Sequence, residues 1–91
     1  MRAMVLERIG PIERGSDPLV PHDLPEPEPG PGQVRLRVHA CAVCHTELDQ
    51  IEGRVATPTP RVPGHQVVGT VDACGEGIDA DRHGRRVGVG W

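Results

Sequence analysis

Two short stretches carry residue types that do chemistry together: Cys41-Ala42-Val43-Cys44-His45-Thr46 and, some twenty positions on, Pro63-Gly64-His65-Gln66. Thiol, imidazole and hydroxyl in consecutive positions admit three chemistries. Cys-x-x-Cys-His is the form of a c-type haem attachment site. That use needs export and a haem-sized apolar pocket, and a chain with neither Phe nor Tyr offers little to line one. Cys-x-x-Cys can also be a redox pair, which sits at a helix N-terminus within a βαβ unit; 91 residues leave no room for that architecture. The third use is a catalytic zinc site, in which thiolate and imidazole ligands leave one tetrahedral position for water or substrate. Cys44 and His65 suit it by type. On spacing alone, Cys44 as a small buried hydrophobe and His65 as a hydrogen-bonded turn residue stand equal to the metal.

Strands and turns must position these groups. Val34–Ala42 alternates with period two, with Val34, Leu36, Val38 and Ala40 on one face and Arg35, Arg37, His39 and Cys41 on the other, the pattern of a half-buried strand. Gln66–Ala73 reads as a second strand closed by Gly75-Glu76-Gly77, and Arg86–Val89 as another after a polar turn over Asp79–Gly84. A first strand begins at Ala3 and ends before Gly10-Pro11, and Leu19-Val20 is a short apolar pair. Pro21–Gly32 holds five prolines and predicts extended polyproline backbone ending in a firm turn. Thr46–Glu52 contains good helix formers, with Thr46 as the expected cap and Gly53 as the stop. Ala56–Pro63 reads as a loop.

Composition points the same way. The apolar residues are almost entirely aliphatic, with Val, which is stiff at χ1 and suits a pleated sheet, the commonest, while 12 Gly and 10 Pro interrupt any long helix. The formal charge of -3 and scattered arginines argue against a nucleic-acid partner. No run approaches the roughly 18 apolar residues of a membrane span, and Met1–Gly10 lacks the apolar core of a secretory signal. Three cysteines without an export signal suggest free thiols or metal ligands in a reducing compartment, hence the cytoplasm. The apolar run Arg86–Trp91 predicts that more protein follows it.

With these residues in hand, the chain resembles the medium-chain, zinc-dependent alcohol dehydrogenases. Cys44-His45-Thr46 is similar to that family's Cys-His-Thr element, and Gly64, His65, Gly69, Gly75 and Ile78 fall at the positions of its Gly-His-Glu signature. The Pro-Glu-Pro-Gly-Pro-Gly run before Val34 and Gly84-Arg85-Arg86-Val87 resemble it too, so the likeness covers nearly the whole chain. The resemblance implies a mainly β fold, a GroES-like, partly open β-barrel with short helical segments. It makes residues 1–91 the N-terminal catalytic domain, cut before the structural-zinc lobe and the Rossmann cofactor domain. It implies oxidation of an alcohol to an aldehyde or ketone by hydride transfer to NAD(P), with Zn²⁺ as Lewis acid.

By the same resemblance Cys44 and His65 are two of three zinc ligands, the third lying beyond residue 91. Thr46 would place its hydroxyl on the substrate oxygen and begin a proton relay, and His45 would face the cofactor pyrophosphate. Glu47 stands for a family Asp that orients the ligating imidazole, one methylene longer. Asp49 stands where many relatives carry the relay histidine. Gln66 replaces the usual Glu, which removes a negative charge beside the metal and implies a slightly stronger Lewis acid. An unchanged pH profile in Gln66→Glu would dispose of that idea. A small-molecule alcohol or aldehyde partner and a full-length dimer or tetramer are implied as well, and the 91 residues alone are expected to be inactive. The competing readings are a co-chaperonin or binding module on the same barrel and a zinc-less quinone or enoyl reductase. Cys41 and Cys74 read as ordinary free thiols, and His22, His39 and His83 as surface residues.

Overall fold

The computed structural model of the chain describes residues 1–90. Trp91, the last residue of the expected strand-like run, lies outside them. The order is β1 (Arg2–Val5), β2 (Val20–Asp23), β3 (Val34–Ala42), α1 (His45–Glu52), β4 (Gln66–Cys74), a 3-10 turn (Ala80–Arg82) and β5 (Arg86–Val89). The fold class is mainly β, as the valine-rich, Gly- and Pro-punctuated sequence implies. The described residues form two compact units, one from 1–25 and 43–64, the other from 26–42 and 65 onward.

In the first unit β1 and β2 pair antiparallel, Arg2 with Asp23 and Val5 with Val20. The first strand is therefore shorter than the apolar run, and Val20–Asp23, expected as the end of an apolar pair and the start of polyproline backbone, is a strand. Pro21 takes part because the ladder has only these two strands, so its missing N–H leaves no interior bond unmade. Beyond β1, Leu6 exchanges both backbone hydrogen bonds with Arg61, at 2.7 and 3.0 Å, which ties the 56–63 loop to the strand end. Val5, Leu6 and Ile51 are the buried apolar side chains here, Leu6 with no exposed surface.

In the second unit β4 is the middle strand, antiparallel to β3 on one side and β5 on the other. β3 spans the predicted residues, and β4 runs one residue further than expected. The uniform alternation predicted for β3 is broken twice. Between Arg35 and Leu36 the register gains an extra residue on β4, Asp72; between Val38 and Ala40 it gains one on β3, His39. Each bulge re-aims the side chains after it, and Val38 is left 57% exposed. The extra residues are pinned by side chains: Arg35 Nε donates to Asp72 Oδ1 at 2.8 Å, and His39 Nε2 lies 2.7 Å from Thr70 Oγ1. Arg35 also draws in the proline-rich segment, donating to the Pro27 carbonyl at 3.3 Å with Glu26 and Glu28 each at 3.9 Å. Asp72 above all holds the Arg35 guanidinium above its ordinary pKa.

Gly69 and Gly75 acquire physical reasons. A Cβ at Gly69 would lie 2.6 Å from the Arg37 carbonyl oxygen, and one at Gly75 would collide with that of Gly30. Only a residue without a side chain allows these backbones to approach so closely.

Candidate functional site

Cys44, His45, Thr46, Glu47 and Asp49 are brought together by the start of α1. The residue before the helix must be extended so that its carbonyl can accept the first helical bond, and Cys44 is, at φ -120° and ψ 160°. Cys44, rather than Thr46, is thus the N-cap, and Thr46 lies inside the first turn. The hydroxyl preference that suggested Thr46 loses to Glu47, whose carboxylate supplies the capping acceptor. Its Oε2 accepts the Cys44 N–H at 2.6 Å, and the Glu47 N–H donates to the Cys44 carbonyl at 3.1 Å. A carboxylate at the positive end of the helix is favourably placed, and this one is buried, 8% exposed. The half-buried Cys44 is a free thiol, with Sγ 3.7 Å from Thr46 Oγ1. A thiol and a hydroxyl therefore sit side by side on a rigidly capped turn.

His45, at the first helical position, is 76% exposed, with Nε2 3.5 Å from Asp49 Oδ1 one turn later. Asp49 has a second partner that the sequence reading missed: Arg54 Nε, at 2.7 Å. The other arm of the guanidinium donates to Glu52 Oε1 at 2.7 Å, and Glu52 Oε2 accepts the Ile12 N–H at 3.3 Å. Arg54, then Ile12, holds the Glu52 carboxyl below its ordinary pKa, while Asp49 and then Glu52 hold the Arg54 guanidinium above its own. The visible signal was an acidic helix ending in Gly-Arg. Gly53 closes α1 at φ 81°, and the Arg54 N–H returns to the Asp49 carbonyl at 2.9 Å.

His65 opens the second unit just before β4. Gly64, at φ 128°, makes the turn that delivers it. The imidazole is half-buried and its Nε2 is shielded from solvent. Gln66 is exposed as the first residue of β4, opposite Ala42 on β3. Among the described residues no group of three or more His, Cys, Asp or Glu side chains is arranged to hold a metal ion. Cys41 is an exposed free thiol and Cys74 a half-buried one. His22, His39 and His83 are hydrogen-bonded at or near the surface, to Glu7, Thr70 and the Asp72 carbonyl. A cleft of about 430 Å³ in the first unit is lined by Val5, Leu24, Pro60 and Val62 with Glu7, His22 and Arg61, and by none of the candidate residues. Among the described residues no helix is long and apolar enough to cross a membrane.

Known proteins similar to this chain identify its family. The family model for the alcohol dehydrogenase GroES-like domain matches residues 30–91. The chain belongs to the medium-chain alcohol dehydrogenase family. It is 38% identical over its full length to an alcohol dehydrogenase of Moraxella sp. (strain TAE123), covering 26% of that protein. It is 40% identical, again over its full length, to the probable alcohol dehydrogenase AdhA of Mycobacterium tuberculosis, covering 28%. Among solved structures, an NAD-dependent alcohol dehydrogenase superposes with a TM-score of 0.84 at 38% identity, over 97% of this chain and 25% of that one. An Escherichia coli dehydrogenase solved with NADH aligns with a TM-score of 0.74 at 28% identity, over 97% and 23%. The chain thus spans about a quarter of the length of the relatives it matches.

Proposed function

We propose that residues 1–91 form the GroES-like N-terminal catalytic domain of a longer zinc-dependent alcohol dehydrogenase, which oxidises an alcohol to an aldehyde or ketone with NAD(P). The observation that carries this reading is the capped turn, with the Cys44 thiol fixed beside the Thr46 hydroxyl in a chain of this family. The donor set suits zinc: one soft thiolate on a braced backbone and one imidazole whose Nε2 is withdrawn from water. Cys44 and His65 would hold the metal, with a third ligand from outside these residues. When bound, zinc supplies Lewis-acid polarisation of the alcohol oxygen and NAD(P) supplies the hydride acceptor.

The chain's own residues then do the following. Glu47 fixes the Cys44 main chain, and by its likeness to the family's Asp it would orient the ligating imidazole. Thr46 Oγ1 would hold the substrate hydroxyl and accept its proton as it passes its own onward, and Asp49 stands at the position of the family's relay histidine. His45, exposed at the positive end of α1, offers its N–H to the cofactor pyrophosphate. Gln66 leaves the metal's surroundings less negative than a Glu would. A cytoplasmic dimer or tetramer acting on small molecules, with neither nucleic acid nor membrane as partner, completes the proposal.

The test is elemental analysis together with alcohol-dependent NAD(P) reduction by the full-length protein. Near-stoichiometric zinc, lost together with activity in Cys44→Ala and in His65→Ala, is the expected result. A full-length protein that reduces a quinone or enoyl substrate without zinc would move the assignment to a metal-free reductase. One with neither metal nor activity would favour a binding module or co-chaperonin.

A further inference from the structure

Resting on the dehydrogenase reading above, we propose that Arg54 is a positioning residue for the cofactor: it offsets the charge of Asp49, with Glu52 as its second partner, so that the His45 end of α1 can receive an anionic dinucleotide.

α1 carries three carboxylates, Glu47, Asp49 and Glu52, and no Lys or Arg. Glu47 is buried and engaged with the Cys44 N–H. Asp49 is the troublesome group, because its Oδ1 lies 3.5 Å from His45 Nε2, the atom offered to a phosphate. A bare carboxylate there would repel a diphosphate across a distance well within the ~8–10 Å screening length of physiological salt. Arg54 answers this charge from a fixed position. Its N–H bonds the Asp49 carbonyl at 2.9 Å as the helix closes over Gly53, which sets the start of the side chain. Its Nε then reaches Asp49 Oδ1 at 2.7 Å and its other arm Glu52 Oε1 at 2.7 Å. One guanidinium thereby pairs with two carboxylates and offsets half of their charge, and Asp49 is held where it can steady the His45 ring with its own charge answered at 2.7 Å. Arg54 acts through its partners, Asp49 and Glu52.

The experiment is isothermal titration of the metal-loaded full-length protein with NAD⁺ and with NADP⁺, at low salt and at 0.5 M salt. Arg54→Met should weaken nucleotide binding about two- to fivefold at low salt, as expected for losing a half-exposed ion pair, and the deficit should shrink at high salt. In steady state the cofactor KM should rise more than kcat falls. Arg54→Lys should recover part of the affinity. The double variant Asp49→Asn with Arg54→Met should recover most of it, because the charge that Arg54 covered is gone. Circular dichroism of each variant verifies that the fold is kept. Unchanged affinity in Arg54→Met, beside a wild type that binds nucleotide, overturns this inference alone. So does a loss that the double variant does not reverse, since that points to packing rather than charge. A wild type that binds neither nucleotide overturns the dehydrogenase reading and this inference with it.

Discussion

In residues 1–25 and 43–64 the side chains withdrawn from water include Val5, Leu6 and Ile51, gathered from a strand end and a helix. In residues 26–42 and 65–90, Val71 is the buried apolar side chain, although three strands pair there. The second unit relies instead on its backbone ladder, on close approaches at Gly69 and Gly75, and on the pins Arg35–Asp72 and His39–Thr70. The two candidate ligands fall one on each side of this difference. Cys44 is set by a local helix cap reaching three positions along the chain; His65 is set by the turn feeding a strand whose register depends on partners 16 to 40 positions away. Local hydrogen bonds can fix a group in a small apolar cluster, whereas a sheet fixes one through long-range pairing.

The sharpest way to break this comparison is Leu6→Ala. Removing the fully buried side chain should cost about 2–5 kcal/mol, read by urea denaturation, with the β1–β2 amides losing hydrogen-exchange protection first. Equal and simultaneous loss across the β3–β4–β5 ladder would mean that the two regions do not differ in what holds them. Next in size is Gly75→Ala, whose methyl must displace the Gly30 backbone, at about 1–3 kcal/mol. Its signature should be loss of amide protection at Gly75 and Gly32, whose N–H groups bond the Gln33 and Glu76 carbonyls. An unperturbed variant would show that the glycine approach carries no weight. The smallest effect is expected from Arg35→Met, which unpins Asp72 and frees the proline-rich segment. Its destabilisation should diminish with added salt, and a salt-independent loss would assign Arg35 to packing through its aliphatic stem.

What could be read beforehand follows from the range of the forces involved. The period-two pattern located β3, β4 and β5 closely, because alternation and glycine or proline stops are local properties. β2 escaped, since Pro21 looks like a strand breaker until β1 supplies a ladder that needs nothing from it. The bulges at His39 and Asp72 escaped too, because an extra residue shows only when two strands are set in register. The candidate site was legible differently: type and spacing left Cys44 and His65 equal between ligand and ordinary residue, and the family resemblance singled them out together with His45, Thr46, Glu47, Asp49 and Gln66. The cap could not be assigned, since Cys is a poor cap by propensity until Glu47 reaches back to it. Arg54 was passed over because an arginine after a helix is ordinary until its guanidinium is seen between Asp49 and Glu52.

By itself the sequence determined the class of structure, the strands with strong alternation, the residue types available for chemistry and the family they resemble. The reason is that backbone preference and donor chemistry reside in each residue and its near neighbours. Tertiary structure decided which carboxylate caps the thiol-bearing turn, which cation answers Asp49, where the ladder slips, and why Gly69 and Gly75 must lack a side chain. The slips and the glycine approaches depend on atoms brought together from distant positions, while the cap and the Asp49–Arg54 pair, close in sequence, depend on the path the folded backbone takes.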